Sequence, residues 1–299
     1  SYRFLYLQLF HARRSQLMTI CYLNDDFVEL SKASISPLDR GFLFGDSVYE
    51  VLAAYKKNLF RLDDHVDRLN KNLELLGIKV NLSNTEIKTI LKEVCLKNLE
   101  ENQIIYLQIS RGVEEIRNHI PKEDTKPTLF VCSFEMKNVP KENNETIKAI
   151  LSSDIRWKKS SIKSTSLLAN VLYKIKAQEK GVDELLMSDS GFITEGAVSN
   201  VFCVNENRIY TPPLEANILP GITRKVIIEI FQDLNLNFEE KKIDEEFLFK
   251  SDELWITNTT KGILPIIELD KKIIGDGNPG KLYQLVKQAF LKKIEDCKA

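Results

Sequence analysis

Six short stretches carry side chains whose types and spacing suit chemistry. In "SSIKSTSLLANVL", Lys163 stands where a strand-like run gives way to an apolar helical repeat. A lysine taken out of water loses its proton more readily and forms an imine with a carbonyl, whereas a solvated loop charge does neither. In "TEGAVSNVF", Glu195 sits in a short segment between apolar strands. A carboxylate there either caps a turn or pairs with a buried cation, of which a protonated pyridine nitrogen is one kind. "LPGITRKVIIEIF" sets Pro220–Gly221 before Thr223, where a helix begins. Its unpaired backbone N–H groups, with a hydroxyl beside them, make a phosphate cradle or an ordinary capped helix. "ITNTTKG" adds the hydroxyls of Thr257, Thr259 and Thr260, which β-propensity followed by a turn also explains. Arg68 precedes Leu69 on a helical stretch and is either a rim arginine or a phosphate ligand. In "EEIRNHIP", Arg117 and His119 lie two apart in a polar loop. They grip one small anion such as a carboxylate, or are simple loop polarity.

The elements that must position these groups are legible from hydrophobic period and turn residues. Residues 19–23 and 26–30, divided by "ND", read as a hairpin. The run from Ser47 to Tyr55 reads as a strand, with "KKN" turning into "LFRL". Leu62, Val66, Leu69, Leu73 and Leu76 advance in steps of four and three, which predicts a helix with Asp63 near its start and Gly77 as its stop. A second helix is expected from about Asn84 to Asn98, with Ile87, Leu91 and Val94 on one face. "QIIYLQIS" and "PTLFVCSFE" read as strands, so the first half is an α+β layer.

"KNVPKENNET", residues 137–146, has charge, Pro and Asn without periodicity and reads as a linker. Beyond it, 147–156 reads as a strand, followed by the Lys163 loop. A buried helix is then expected, with Leu167, Leu168, Val171, Leu172 and Ile175 as its stripe. Strands are expected at 184–188, 192–194, 200–204 and 208–211, and helices at about 223–234 and 279–293. The expected organisation is therefore a domain at 18–136, a linker at 137–146, and a larger domain at 147–299 that carries the lysine.

Composition narrows the class. The 299 residues suit one large domain or two ordinary ones, and 43% apolar with 28% charged content describes a soluble globular protein. A formal charge of −1 gives no global attraction to nucleic acid or an anionic membrane, and no basic stripe with interleaved aromatics is present. No apolar run approaches the roughly 20 residues that span a bilayer. Cys21, Cys95, Cys132, Cys203 and Cys297 are scattered, with no CxxC pair, which suits free thiols in a reducing, cytoplasmic compartment. With three histidines and no His/Cys cluster, no metal site is expected. The opening "SYRFLYLQLFHARRSQ" is basic and partly apolar but lacks a long apolar core and a small-residue cleavage signature. Residues 1–17 are read as an extension or flexible arm, with the domain proper beginning near Met18.

Taken together, the candidate groups supply an amine for an imine, a carboxylate for a ring nitrogen, phosphate donors and a carboxylate clamp. Pyridoxal 5'-phosphate acting on an amino acid needs that complement. On "DRGFLFGDSVYEV", "HVDRL", "DIRW", "IKSTSLLANVL", "TEGAVSNVF", "LPGITR" and "TNTT", in that order over residues 19–295, the chain resembles the fold-type IV pyridoxal-phosphate enzymes. These include D-amino-acid aminotransferase, branched-chain aminotransferase and aminodeoxychorismate lyase. The resemblance implies a mixed α/β fold of two domains with the active site between them. It assigns Lys163 to the covalent cofactor link and the proton shuttle, and Glu195 to the ring nitrogen. Arg68, Ile222, Thr223 and Thr259 fall to the phosphate, and Tyr49 to the substrate carboxylate or the aldimine region.

"RNH" is similar to the Arg-x-His motif by which the D-amino-acid enzymes bind the substrate carboxylate from the neighbouring subunit. Arg117 and His119 match it, in a loop one residue longer than usual, and Ala197–Val198 stand where small hydroxylated residues are common. The resemblance implies ping-pong aldimine/ketimine transamination between a D-amino acid (D-alanine or D-glutamate) and a 2-oxo acid, by a homodimer. An L-branched-chain aminotransferase, an aminodeoxychorismate lyase and a non-catalytic interaction protein on the same scaffold are the alternatives.

Overall fold

The computed structural model describes residues 19–143 and 145–298, so the expected arm at 1–17 lies outside the described residues. The chain divides into two compact units. The first takes in the residues up to Lys137 together with Lys163–Ser166; the second comprises Asn138–Ile162 and Leu167–Cys297. The tetrapeptide bearing the candidate lysine, expected within the C-terminal domain, thus groups with the first unit.

Among its described residues the first unit holds a six-stranded sheet of β1 (Ile20–Leu23), β2 (Asp26–Glu29), β3 (Ser47–Tyr55), β4 (Asn58–Leu59), β5 (Gln103–Ser110) and β6 (Thr128–Glu135). The spatial order is β2-β1-β6-β5-β3-β4. The pairing is antiparallel throughout, as short connections require. Asn24 takes a left-handed backbone, φ 56°, in the expected β1–β2 turn, and Lys56 and Lys57 do so between β3 and β4, at φ 47° and 64°.

The five-residue helix α1 (Arg40–Phe44) is capped by the Asp39 side chain, which accepts from the Gly41 N–H. α2 (Leu62–Leu76) and α3 (Asn84–Lys97) cover the sheet. α2 buries Val66, Leu69 and Leu73 as its period predicts and stops at Gly77, whose φ of 63° lets its N–H close on Leu73 and Glu74. α3 begins with a Ser83–Glu86 capping box and buries Ile87, Leu91 and Val94.

The second unit is built on a mixed sheet of nine described strands: β7 (Ile147–Ser153), β8 (Glu184–Asp189), β9 (Phe192–Gly196), β10 (Asn200–Asn205), β11 (Arg208–Thr211), β12 (Phe238–Glu240), β13 (Glu253–Asn258), β14 (Gly262–Leu269) and β15 (Lys272–Ile273). Its order is β12-β11-β10-β13-β14-β7-β8-β9, with β15 beside β14. β7 and β8 run parallel, so α4 (Leu168–Glu179) serves as the crossover between them. α5 (Ile222–Asp233), α6 (Glu245–Phe249) and α7 (Lys281–Lys298) complete the unit. Its core gathers Ile147, Leu186, Val201, Leu254, Ile256, Leu264 and Ile266 from the inner strands of the sheet. The mixed α/β class is as expected, and no described helix is long and apolar enough to cross a membrane.

One expectation is overturned. The stripe predicted to bury α4 is exposed, with Leu168 at 72%, Val171 at 51%, Leu172 at 48% and Ile175 at 46%. The sheet instead takes the other side of the helix, where Tyr173 and Ala177 pack on Leu185, Met187 and Ala197. Tyr173 also spends its hydroxyl locally, donating to the Ser153 carbonyl at 2.8 Å and accepting from the Ile155 N–H at 2.6 Å.

Candidate active site

Lys163 is no free loop residue. Tyr49 N–H donates to its carbonyl at 3.0 Å, and Thr165 N–H donates to the Ser47 carbonyl at 3.1 Å. Ser164 bridges Val48, so residues 163–165 lie along β3 like a short extra strand. The Ser47 and Thr165 hydroxyls are also hydrogen-bonded. With its backbone pinned, Lys163 carries its half-buried side chain over the Tyr49 ring, Nζ 4.2 Å from the centroid. Tyr49 in turn stacks on Tyr106 at 5.8 Å, and Tyr106 donates to the Gln108 side chain.

Beneath β3, α2 sets a buried triad. Arg68 donates through Nε and Nη2 to the two oxygens of Glu50, at 2.8 and 2.7 Å. His65 Nδ1 lies 2.7 Å from the same carboxylate. Burial raises the Glu50 pKa, but Arg68 and His65 outweigh it and bring it to about 2. An ionised carboxylate has no proton to give, so the His65 Nδ1–H donates. Burial lowers the His65 pKa, with Arg68 and Lys163 adding to the effect and Glu50 opposing it, so the ring stays neutral at pH 7. Arg68, expected at the rim or on a phosphate, is therefore itself buried and oriented by Glu50.

Arg117 and His119 stand exposed in the loop 111–127. Both meet Phe44: the Arg117 guanidinium lies 4.6 Å from its ring centroid and the His119 ring 5.2 Å away. The two donors that the spacing pairs are thus brought together around one aromatic ring.

The second unit holds the other candidates. Glu195, on β9, is buried and accepts from Arg156, from Asn200 Nδ2 at 3.1 Å, and from the Leu219 N–H at 3.2 Å. Arg156 makes its fuller pairing with Asp154, through Nε at 3.0 Å and Nη2 at 2.7 Å. Burial raises Asp154 too, yet Arg156 overrides it and holds the carboxyl below the usual range. At Glu195 burial wins over the same guanidinium, and the pKa is pushed up to about 7. Two buried carboxylates thus share one cation, and Glu195 is the one left short.

Asn200 links this cluster to the start of α5. Its Nδ2 also donates to the Leu219 carbonyl at 3.0 Å, and its Oδ1 would sit 2.1 Å from a Cβ placed on Gly221. Only glycine allows that approach. Gly221 is the N-cap of α5 and no side chain caps the helix, so the N–H groups around Ile222 and Thr223 face outward from its end. Thr257 lies directly across from Asn200 in the β10–β13 register, and its Oγ1 is buried with no hydrogen-bond partner. Thr259 follows in the turn after β13, half-buried.

The first unit therefore brings Lys163 to Tyr49, buries Arg68 on Glu50 and, separately, gathers Arg117 and His119 at Phe44; the second joins Glu195 through Asn200 to the helix start that carries Ile222 and Thr223, with Thr259 in the turn after β13. Site reasoning from sequence passed over Glu50, His65, Asp154, Arg156 and Asn200. A signal existed for some of them. Glu50 interrupts the apolar strand "SVYEVLAAY", where a charge survives only with a partner.

Residues 47–269 match the family model described as amino-transferase class IV. The chain belongs to the amino-transferase class IV family. Among relatives of this class IV chain, the D-alanine aminotransferase of Bacillus licheniformis is 37% identical over 271 residues, covering 91% of this chain and 95% of that one. The D-alanine aminotransferase of Staphylococcus epidermidis is 34% identical, covering 93% and 99%. Among solved structures, the T.th. branched-chain amino acid aminotransferase with pyridoxamine 5'-phosphate superposes with a TM-score of 0.88 at 25% identity, covering 94% and 95%.

Proposed function

We propose that this class IV protein is a pyridoxal 5'-phosphate-dependent aminotransferase that exchanges the amino group of a D-amino acid, D-alanine or D-glutamate, with a 2-oxo acid. The observation that carries the reading is Lys163, an amine held by paired backbone on the edge of β3 and set over Tyr49. The donor set fits the cofactor. The two carboxylates around Arg156 need a second cation, which a protonated ring nitrogen supplies. The open N-terminus of α5 and the unpartnered Thr257 hydroxyl suit a bound anion. When bound, the cofactor supplies an electrophilic aldehyde and an electron-withdrawing ring.

The chain's own residues then have distinct tasks. Lys163 would hold the cofactor through its amine and, as a free amine, would move the proton at the substrate α-carbon. Glu195, ionised beside the ring nitrogen, would keep the proton there. Ile222 and Thr223 at the helix start, with Thr259, would bind phosphate, and Arg68 would supply a guanidinium for the same group. Tyr49 orients the group attached at Lys163. Arg117 and His119 grip the substrate carboxylate, and the face on which Lys163 stands then selects the D antipode.

The working form is a homodimer in which the Arg117 loop serves the neighbouring subunit. Exposed apolar side chains support this reading: Phe42, Ile116 and Ile120 in the first unit, and the bared stripe of α4 in the second. The D-alanine aminotransferases among the relatives favour D-amino acids. The likeness to branched-chain aminotransferase structures keeps an L-branched-chain substrate as the second reading.

The test is a visible spectrum of the cofactor-loaded protein before and after D-alanine, with L-alanine and L-leucine as separate arms. A shift with D-alanine alone is expected, and a shift with L-leucine alone favours the second reading. Lys163→Ala should lose both the resting visible band and turnover; retention of both refutes the assignment.

A further inference from the structure

A clamp made of two exposed side chains works only if the backbone that carries them is held still. The loop 111–127 joins β5 to β6 and is long for a hairpin connection. Its roots are tied by Asp39, which accepts from Ser110 at 2.9 Å and from Thr128 at 2.7 Å. Its tip is held from below by Arg40. This buried guanidinium donates to the carbonyls of Asn118 and His119, at 2.5 and 2.9 Å, on the residues that follow Arg117.

Arg40 is itself fixed between two carboxylates, donating to Asp46 at 2.9 Å and to Glu114 at 3.2 Å. Glu114, 7% exposed, belongs to the loop. Its other oxygen accepts from the Lys122 N–H at 2.8 Å and from the Thr125 hydroxyl at 2.9 Å. The Lys122 N–H above all, with Thr125 and Arg40, holds the Glu114 carboxyl below the usual range. One side chain therefore joins the outgoing limb, the returning limb and, through Arg40, the tip. Arg40 also lies 4.8 Å from the Phe44 ring that Arg117 and His119 share.

We propose that Glu114 is a positioning residue for substrate recognition: through Arg40 it braces the loop so that Arg117 and His119 keep their aim at the substrate carboxylate. The inference rests on the reading of that pair as a carboxylate clamp. Glu114 touches no reacting atom, so its loss weakens carboxylate binding in ground state and transition state alike. That is the pattern of a raised KM with an unchanged kcat.

The experiment compares Glu114→Gln, Glu114→Ala and Arg117→Ala with the wild type as cofactor-loaded protein. It measures steady-state kinetics with D-alanine, cofactor affinity and amide hydrogen exchange. Glu114→Ala is expected to raise KM about tenfold, the worth of one charge-assisted hydrogen bond. kcat should stay within about twofold and cofactor affinity should not change. Exchange should quicken within the loop at residues 115–125, most directly at Lys122, whose N–H loses its acceptor, and nowhere else. Glu114→Gln keeps the size and one acceptor and should show the same pattern more weakly, which guards against a misfolded alanine variant.

Unchanged exchange in both variants overturns the brace. Faster exchange with an unchanged KM overturns its role in recognition, as does a fall of kcat and cofactor affinity alongside the rise in KM. Arg117→Ala reads the clamp separately. If it leaves KM unchanged, the clamp reading fails, while the exchange data still decide the brace.

Discussion

Replacing Glu50 by Gln tests the first unit's triad most sharply. The side chains of Glu50 and Arg68 are 2% and 7% exposed, so neither charge is screened by water. The substitution keeps the shape of the acceptor but removes the Glu50 charge from beside the buried Arg68 guanidinium. A fall of the Glu50 pKa from 4.5 to about 2 corresponds to about 3 kcal/mol, at roughly 1.4 kcal/mol per pKa unit. Loss of one partner from a buried ion pair costs a similar ~3–5 kcal/mol.

The sign of the pH dependence follows from the direction of the shift. A carboxyl whose folded pKa is depressed binds fewer protons folded than unfolded between the two values. Its contribution is complete above pH 4.5 and is lost as pH falls toward 2. Chemical denaturation of wild type and Glu50→Gln should differ by about 3 kcal/mol at pH 7, with about 2 kcal/mol of that gap remaining at pH 3.5. The double variant Glu50→Leu/Arg68→Met should recover most of the loss, because no buried charge is then left unpaired. A gap below about 1 kcal/mol at pH 7, or one that does not narrow in acid, refutes the buried-pair account.

Glu195 should show the opposite slope. Its folded pKa is raised from 4.5 to about 7, so in cofactor-free protein its contribution is present below 4.5 and fades as pH rises through 7, by about 3 kcal/mol in all. Denaturation at pH 5 and pH 8 should therefore show a steeper fall for wild type than for Glu195→Gln, and equal slopes count against the cation-poor cluster. On the bared face of α4, Leu172→Asp places a charge where an apolar partner surface is proposed. Light scattering should report monomers where the wild type gives dimers, with far-UV dichroism unchanged; an unaltered mass removes this face from the interface.

What the chain settled by itself was local. The α2 stripe of Val66, Leu69 and Leu73, its glycine stop, and the turn at Asn24 follow from period and backbone preference within a few residues. So do most of the strands, and so does the loop pairing of Arg117 with His119. The motif order was enough to mark the family. The same period on α4 named an apolar side but not what would cover it. The sheet took Tyr173 and Ala177 instead, because helical spacing identifies a face and says nothing of its partner.

The site depended still more on tertiary structure. Lys163 became a held amine because residues 163–165 lie against 47–49, more than a hundred positions away in the chain. Glu50 with Arg68, Glu195 with Arg156 and Arg40 with Glu114 are also paired across 18, 39 and 74 positions. A charge within an apolar run announces that it needs a partner, since burial without one is too costly. Which of the chain's many opposite charges answers is decided only when the backbone folds and brings one within hydrogen-bond reach.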